Sequence, residues 1–383
     1  MRRTIRLLAW VSFLIGTSLF RGSVVVQAQS GEGAPPALGL IIRIDPKEKR
    51  GALTIKQGKH VNPINAVEGM PIRRGYVLTL TATARATVLC GDGKKRELAP
   101  GSQGCPCARP CTPEVCGIRY GGSTIGATRG PDTDDGEFPV VISPRKTMLL
   151  NLRPTIRWAA IAGAKETTSY QVTLYGDRGK VVWTKEAASE TKLTYPENEP
   201  SLTRGQTYKV VVTSGSLSSE QDHSPGLGFT TLTADQARAL AADEIKKHQL
   251  GLSESQTRFL ISNLFAARGL YSEGIDTLED LYTTIKEPAM AGMLGDLFAM
   301  TGLNREAEKR YLEVLSLTAA DDFEGLGAMQ RSLAQVYENL GMFDRAISRF
   351  AEARRAYKRL GYRSLVKALL KDERRLKGAQ GRL

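Results

Sequence analysis

Five cysteines, Cys90, Cys105, Cys107, Cys111 and Cys116, fall within 27 residues of a 383-residue chain. Thiols this close together can hold a zinc ion or form disulfides. The run C-x-C-x₃-C-x₄-C from Cys105 to Cys116 contains no C-x₂-C pair and has no neighbouring His, so disulfides fit it better than zinc. Cys90 ends a strand-like stretch, Ala86-Thr87-Val88-Leu89-Cys90. The candidate disulfide partners Cys105, Cys107, Cys111 and Cys116 lie in a Pro-interrupted loop. Five thiols make two bridges and leave one over.

The remaining chemistry-bearing residues are scattered. His60, His223 and His248 have no second ligand at metal spacing. No H-E-x-x-H, G-x-S-x-G or Walker-type G-x₄-G-K-[ST] occurs. Gly91-Asp92-Gly93-Lys94-Lys95 imitates a phosphate loop, but a strand follows it, with no helix N-terminus to receive phosphate. Asp92-Gly93 is instead a hairpin signal, because such turns need positive φ. The acid pairs Asp134-Asp135 and Asp321-Asp322 sit in loops, where solvated charge is the default. These residues predict no catalytic, metal or cofactor site and no enzyme.

The cysteine reading depends on the compartment, which the N-terminus addresses. Arg2, Arg3 and Arg6 precede an apolar run from Leu7 to Phe20, and Val26-Gln27-Ala28 offers small residues for cleavage. A basic start, a short apolar run and a V-x-A site read as a signal peptide over 1–28. The chain is therefore expected to be exported, to the periplasm or the cell envelope.

Behind the signal, the hydrophobic period divides the chain, and the expected fold class is multidomain all-β plus all-α. A small β unit covers 29–116, a Gly-rich linker 117–142, a β-sandwich 143–232 and helices 233–383. In the first unit, Val67-Glu68-Gly69-Met70-Pro71-Ile72-Arg73-Arg74-Gly75-Tyr76-Val77-Leu78 precedes Ala86-Thr87-Val88-Leu89, the G-D-G turn and Arg96-Glu97-Leu98-Ala99-Pro100-Gly101-Ser102. This order resembles the FecR-type β domain, with Arg74 where that family usually carries an acid-bearing G-D step. The resemblance covers about a sixth of the chain and implies a periplasmic β module, without the signalling role. In the second unit, Pro154-Thr155-Ile156-Arg157-Trp158 opens and Leu202-Thr203-Arg204-Gly205-Gln206-Thr207-Tyr208-Lys209-Val210-Val211-Val212 closes. That frame is similar to a fibronectin type III or related immunoglobulin-like domain. Trp158, Trp183 and Tyr175 are read as core, because aromatics at strand period pack inward.

In the last part, three segments match one another. Ile261-Ser262-x-x-Phe265 with Gly269 and Gly274 aligns with Leu294-Gly295-x-x-Phe298 with Gly302 and Ala307. Leu333-Ala334-x-x-Tyr337 with Gly341 and Ala346 is the third copy. Gly269, Gly302 and Gly341 are 33 and 39 residues apart. A helix–turn–helix unit of this length and small/aromatic pattern resembles the tetratricopeptide repeat, with copies at about 255–287, 288–321 and 327–360. Entry and closing helices are expected at 234–248 and 364–377. The resemblance implies a groove for a peptide or helix of a partner protein, faced by Asn263, Asp296, Arg331, Gln335, Glu338 and Asn339. The expected function is a non-enzymatic interaction scaffold. The alternative is an envelope protein whose β domains grip glycan or another anionic polymer.

Charge adds one more expectation. The formal net charge is +13, but residues 233–344 carry −8 and residues 345–383 carry +10. Arg354, Arg355, Lys358, Arg359, Arg363 and Lys367 are candidates for an anionic contact: the acidic neighbouring repeats, a phospholipid surface or an acidic partner. Export removes the case for nucleic acid.

Overall fold

A computed structural model describes residues 37–45, 51–57, 62–110, 136–222 and 227–380. The expected signal segment, Cys111, Cys116, His60, His223, Asp134-Asp135 and the linker up to residue 135 lie outside those residues. Among the described residues, strands precede eight helices, as the period change predicts.

The first β unit contains β1 (Ala37–Asp45), β2 (Leu53–Lys56), β3 (Ile64–Asn65), β4 (Pro71–Arg73), β5 (Val77–Leu80), β6 (Arg85–Cys90), β7 (Lys95–Glu97) and β8 (Gly101–Gly104). They form two four-stranded antiparallel sheets, β4-β1-β6-β7 and β3-β2-β5-β8. Ile41, Ile55, Ile72, Leu78 and Val88 fill the space between the sheets. The Asp92-Gly93 turn joins β6 to β7 as predicted. Gly93 has φ +76°, and the Asp92 carboxylate accepts from Lys94 N at 3.1 Å. Residues 38–42 read Leu-Gly-Leu-Ile-Ile, without polar alternation, and all five are buried. A strand apolar on both faces needs a second layer.

The second unit contains β9 (Val140–Ser143), β10 (Thr147–Leu149), β11 (Thr155–Ala159), β12 (Tyr170–Tyr175), β13 (Val181–Ala187), β14 (Lys192–Thr194), β15 (Thr207–Ser214), β16 (Leu217–Ser218) and β17 (Phe229–Thr231). One sheet runs β10-β17-β15-β12-β13, with β16 beside β15, and the other runs β14-β11-β9. β10 pairs with β17 in parallel; the other pairings are antiparallel. Trp158 and Trp183 are buried as predicted, with Tyr170 and Tyr195 packed against them at centroid distances of 5.7 and 5.4 Å. Tyr175, expected in the core with them, is only half-buried at the end of β12. The Tyr208 hydroxyl accepts from Thr203 N at 2.9 Å, which holds the lead-in segment against β15. The first strand starts at Val140, three residues before the expected boundary.

The helices are α1 (Ala234–His248), α2 (Glu254–Ala267), α3 (Tyr271–Thr284), α4 (Pro288–Thr301), α5 (Asn304–Leu317), α6 (Phe323–Asn339), α7 (Phe343–Arg359) and α8 (Arg363–Gln380). α2–α3, α4–α5 and α6–α7 are hairpins at the three predicted copies. Each first helix ends the same way. Gly269, Gly302 and Gly341 adopt φ +76°, +82° and +73°, where a Cβ is strained. The next amides, Leu270, Leu303 and Met342, bond back to Phe265 O, Phe298 O and Tyr337 O at 2.8 to 2.9 Å, a Schellman closure. The small residues let the paired helices approach closely. A Cβ on Gly295 would come within 2.5 Å of the Tyr311 ring. α8 caps the last pair by burying Leu365, Leu369 and Leu376. α1 buries only Leu240, and the sandwich covers the rest of the first pair.

That cover is polar as well as apolar. Buried Arg145 donates to Thr301 O at 2.8 Å and to the Asp222 carboxylate at 2.5 Å. Met148 N bonds to Gly269 O at 2.8 Å, and Arg157 reaches Asp276 and Glu279 at 2.9 and 2.7 Å. Phe138 and Val140 join the helical core.

Gly295→Ala is expected to cost about 1–3 kcal/mol in urea unfolding, because the methyl has no room against Tyr311. Gly378→Ala, which meets nothing within 4 Å, should instead gain up to about 1 kcal/mol from helix propensity. Equal gains for both would show that close helix approach is not what holds the pair.

Candidate functional site

The first helices of the three pairs, α2, α4 and α6, form the face expected to receive a partner. The chain's own first β unit sits against it. Leu40, Ile42 and Leu89 meet Leu260 of α2, with Leu250, Leu252 and Phe259 around them. This is the second layer that the two-sided apolar β1 requires. Gly69, at φ +86°, turns so tightly over α4 that a Cβ there would lie 2.9 Å from the Ala289 Cβ. Glu68 accepts from Gln256 Nε2 at 3.3 Å.

At α6 the contact becomes a buried polar cluster. Gln57 donates to Asp322 Oδ1 at 2.8 Å and accepts from Glu324 N at 3.2 Å. Arg73, at the end of β4, forms an ion pair with Glu324, and both are buried. Asp322 is not the solvated loop acid that its neighbour Asp321 suggested. It is buried and caps α6, accepting from Gly325 N at 3.0 Å. Burial pushes the Glu324 and Asp322 carboxyls up; Arg73 opposes it for Glu324, and Gly325 N and Gln57 for Asp322.

Beside this cluster the two layers part. A cleft of about 420 Å³ lies between them. Ile44, Leu53 and Met70 of the β unit face Val314, Leu317 and Met329 of the helices across it. Glu68, Arg73, Asp322 and Glu324 contribute its polar groups. Leu317 is 48% exposed at this site, although most of the cleft's aliphatic wall is buried.

The six predicted groove residues divide. Asn263, Asp296 and Asn339 are buried inside the stack and offer nothing to a partner. Asn263 donates to Phe259 O at 2.9 Å, and Asn339 to Asn304 Oδ1 at 3.3 Å. Asp296 accepts from the Tyr311 hydroxyl at 2.7 Å. The helical pattern marks these as polar positions, but the β unit and the paired helices close over them. Arg331, Gln335 and Glu338 are half-buried. Glu338 is taken by Arg375, which donates to both carboxylate oxygens at 2.6 and 2.9 Å.

The candidate anionic contacts divide too. Arg354 is turned inward to Glu373 at 2.7 Å, and Arg355 pairs with Glu352 on its own helix. Arg359 lies 5.6 Å over the Phe323 ring. Lys358, Arg363 and Lys367 are exposed.

The cysteine expectation needs a correction. Cys107 bridges to Cys90, the strand residue left out of the candidate set, with Cα atoms 5.3 Å apart. Sheet packing brings β6 under the loop after β8, which loop spacing alone does not reveal. Cys105 is a half-buried free thiol, raised above its usual range by burial. Among the described residues, no group of three or more His, Cys, Asp or Glu could hold a metal, and no helix is long and apolar enough to cross a membrane.

The cluster residues Gln57, Arg73, Asp322 and Glu324 carry no motif. The one sequence signal for their contact is the unalternated β1, which shows that a layer is needed but not which one. Among known proteins, no family model matches the chain and no curated protein is similar to it.

Two predictions follow from the buried acids and the ion pair. Burial pushes Asp296, tempered by the Tyr311 hydrogen bond, up to about 7, and it also lifts Glu273 to about 7. Unfolded carboxyls titrate near about 4, so the folded chain holds extra protons between about pH 4 and 7. Stability therefore falls as pH rises through that window. Asp296→Asn should remove up to one proton's worth of that slope, making the variant more stable than wild type at pH 7.5 but not at pH 4.5 in urea unfolding. An unchanged slope would rule out a protonated Asp296. Glu324→Gln should cost about 3–5 kcal/mol by removing the carboxylate charge opposite buried Arg73, and Arg73→Met with Glu324→Met should recover most of it. A double variant as unstable as the single would place the cost elsewhere.

Proposed function

We propose that the chain is an exported, non-enzymatic interaction scaffold of the cell envelope. Its tetratricopeptide-like helix pairs are the binding element, and a FecR-like and a fibronectin-like β module build the rest. The observation that carries this reading is the half-exposed Leu317 beside a cleft of about 420 Å³, walled by aliphatic side chains from two layers. Apolar concavities with a few polar groups are where partners seat side chains. The groove itself is covered by the β unit, so a partner enters the cleft at its side. A short segment with aliphatic side chains suits that shape. The alternative, a β surface that grips glycan, finds less support, because both sandwich tryptophans are buried.

A photo-crosslinking residue at position 317 should trap one defined envelope protein. The same probe at Leu312, equally apolar, 40% exposed and outside the cleft, should not. Leu317→Glu should abolish capture by a probe at exposed Asn65 on the facing wall, without lowering the melting temperature. Equal capture from both positions would refute the cleft as the binding site.

A further inference from the structure

The last helix presents a row of cations that neither the fold nor the scaffold reading uses. Arg363, Lys367, Lys371, Arg374 and Lys377 recur every three or four residues, which places them on one face of α8. All five are exposed. Leu365, Leu369 and Leu376, buried against the stack, occupy the opposite face. The row spans 15 residues, about 21 Å of helix. Lys358 and exposed Arg359 extend it across the Gly361 turn. No acid interrupts it. Asp372 pairs with Arg375 and buried Glu373 pairs with Arg354.

This arrangement departs from the habit of the other helices. There, exposed cations sit one turn from an acid: Asp235 with Arg238, Asp243 with Lys246, Glu352 with Arg355. Along α8 the one-turn neighbours are cations facing cations, a repulsive pattern in an isolated helix. The helix dipole accounts for Lys377 in the last turn but opposes Arg363 in the first.

We infer that this face of α8 docks on the surface of an anionic phospholipid bilayer. A straight, exposed row of charge suits a flat anionic surface, where each Lys or Arg adds its own increment of attraction. The exposed arc carries no large apolar side chain, so the helix adsorbs on the headgroups without inserting. The row lies on the closing helix, away from the residues that wall the cleft. The inference rests on the reading of the chain as exported to the envelope, but not on the cleft.

The test is co-sedimentation of the full chain with vesicles. Phosphatidylethanolamine vesicles containing phosphatidylglycerol are compared with phosphatidylcholine alone. Wild type should bind only the anionic vesicles, and high salt should release it. Lys367→Glu with Lys371→Glu and Arg374→Glu should weaken binding at least about a hundredfold. Lys180→Glu with Lys185→Glu and Lys192→Glu changes net charge equally on the sandwich and should bind as wild type. Circular dichroism checks that both triple variants stay folded. Leu317→Glu should bind vesicles normally, which separates this result from the fate of the cleft. Three results would each overturn the inference: equal loss in both triple variants, salt-resistant binding, or binding of soluble polyglutamate or a DNA duplex in preference to vesicles.

Discussion

The meeting of Arg73 with Glu324 fixes where the first β unit lies on the helices. Two opposite charges buried together lose their water, and their attraction recovers that loss only in one close geometry. Here the geometry is held from both sides. Gln57 braces the start of α6 by bonding both Asp322 and the Glu324 amide, and Asp322 in turn caps that helix. Apolar contact alone would let the β unit slide along the helices, because aliphatic surfaces are indifferent to register. The charged pair specifies one position. Arg145 does the same for the sandwich, tied to both Asp222 and the end of α4.

The architecture that results is a helical stack dressed by two β layers. α4 shows how thorough the dressing is. Most of its residues are buried, so it is apolar nearly all round rather than striped. It is flanked by helices on two sides, by Gly69 above its first turn and by Arg145 at its last carbonyl. The open groove expected of the helix pairs is thus largely internal, and a cleft remains beside α6.

What the sequence discloses follows the range of the interaction. The glycines at 269, 302 and 341 are legible because each lets the amide after it close the helix by bonding five positions back. The Asp92-Gly93 turn and the strand-period aromatics are legible for the same reason. The bridge from Cys90 to Cys107 is less so, because it depends on how β6 packs under the loop after β8. The docking cluster is illegible, because Arg73 and Glu324 are 251 residues apart and neither belongs to a motif. Polar residues on a helical face are equally ambiguous. Asn263, Asp296 and Glu338 share a pattern, but two are buried in the stack and one serves Arg375. Only the missing alternation of β1 records, in local form, that something distant must cover it.

The order of the parts along the chain gives that cover a timing. A ribosome makes the β unit first, and Glu324 follows Arg73 by 251 residues. At about 5–20 residues per second, the wait is about 10–50 s. During that interval Leu40, Ile42 and Leu89 lack the Leu260 layer, and Arg73 lacks Glu324. A β unit that folded within that interval would expose a bare aliphatic sheet. Whatever escorts it through that interval must shield this sheet and then yield it to helices that have yet to be made.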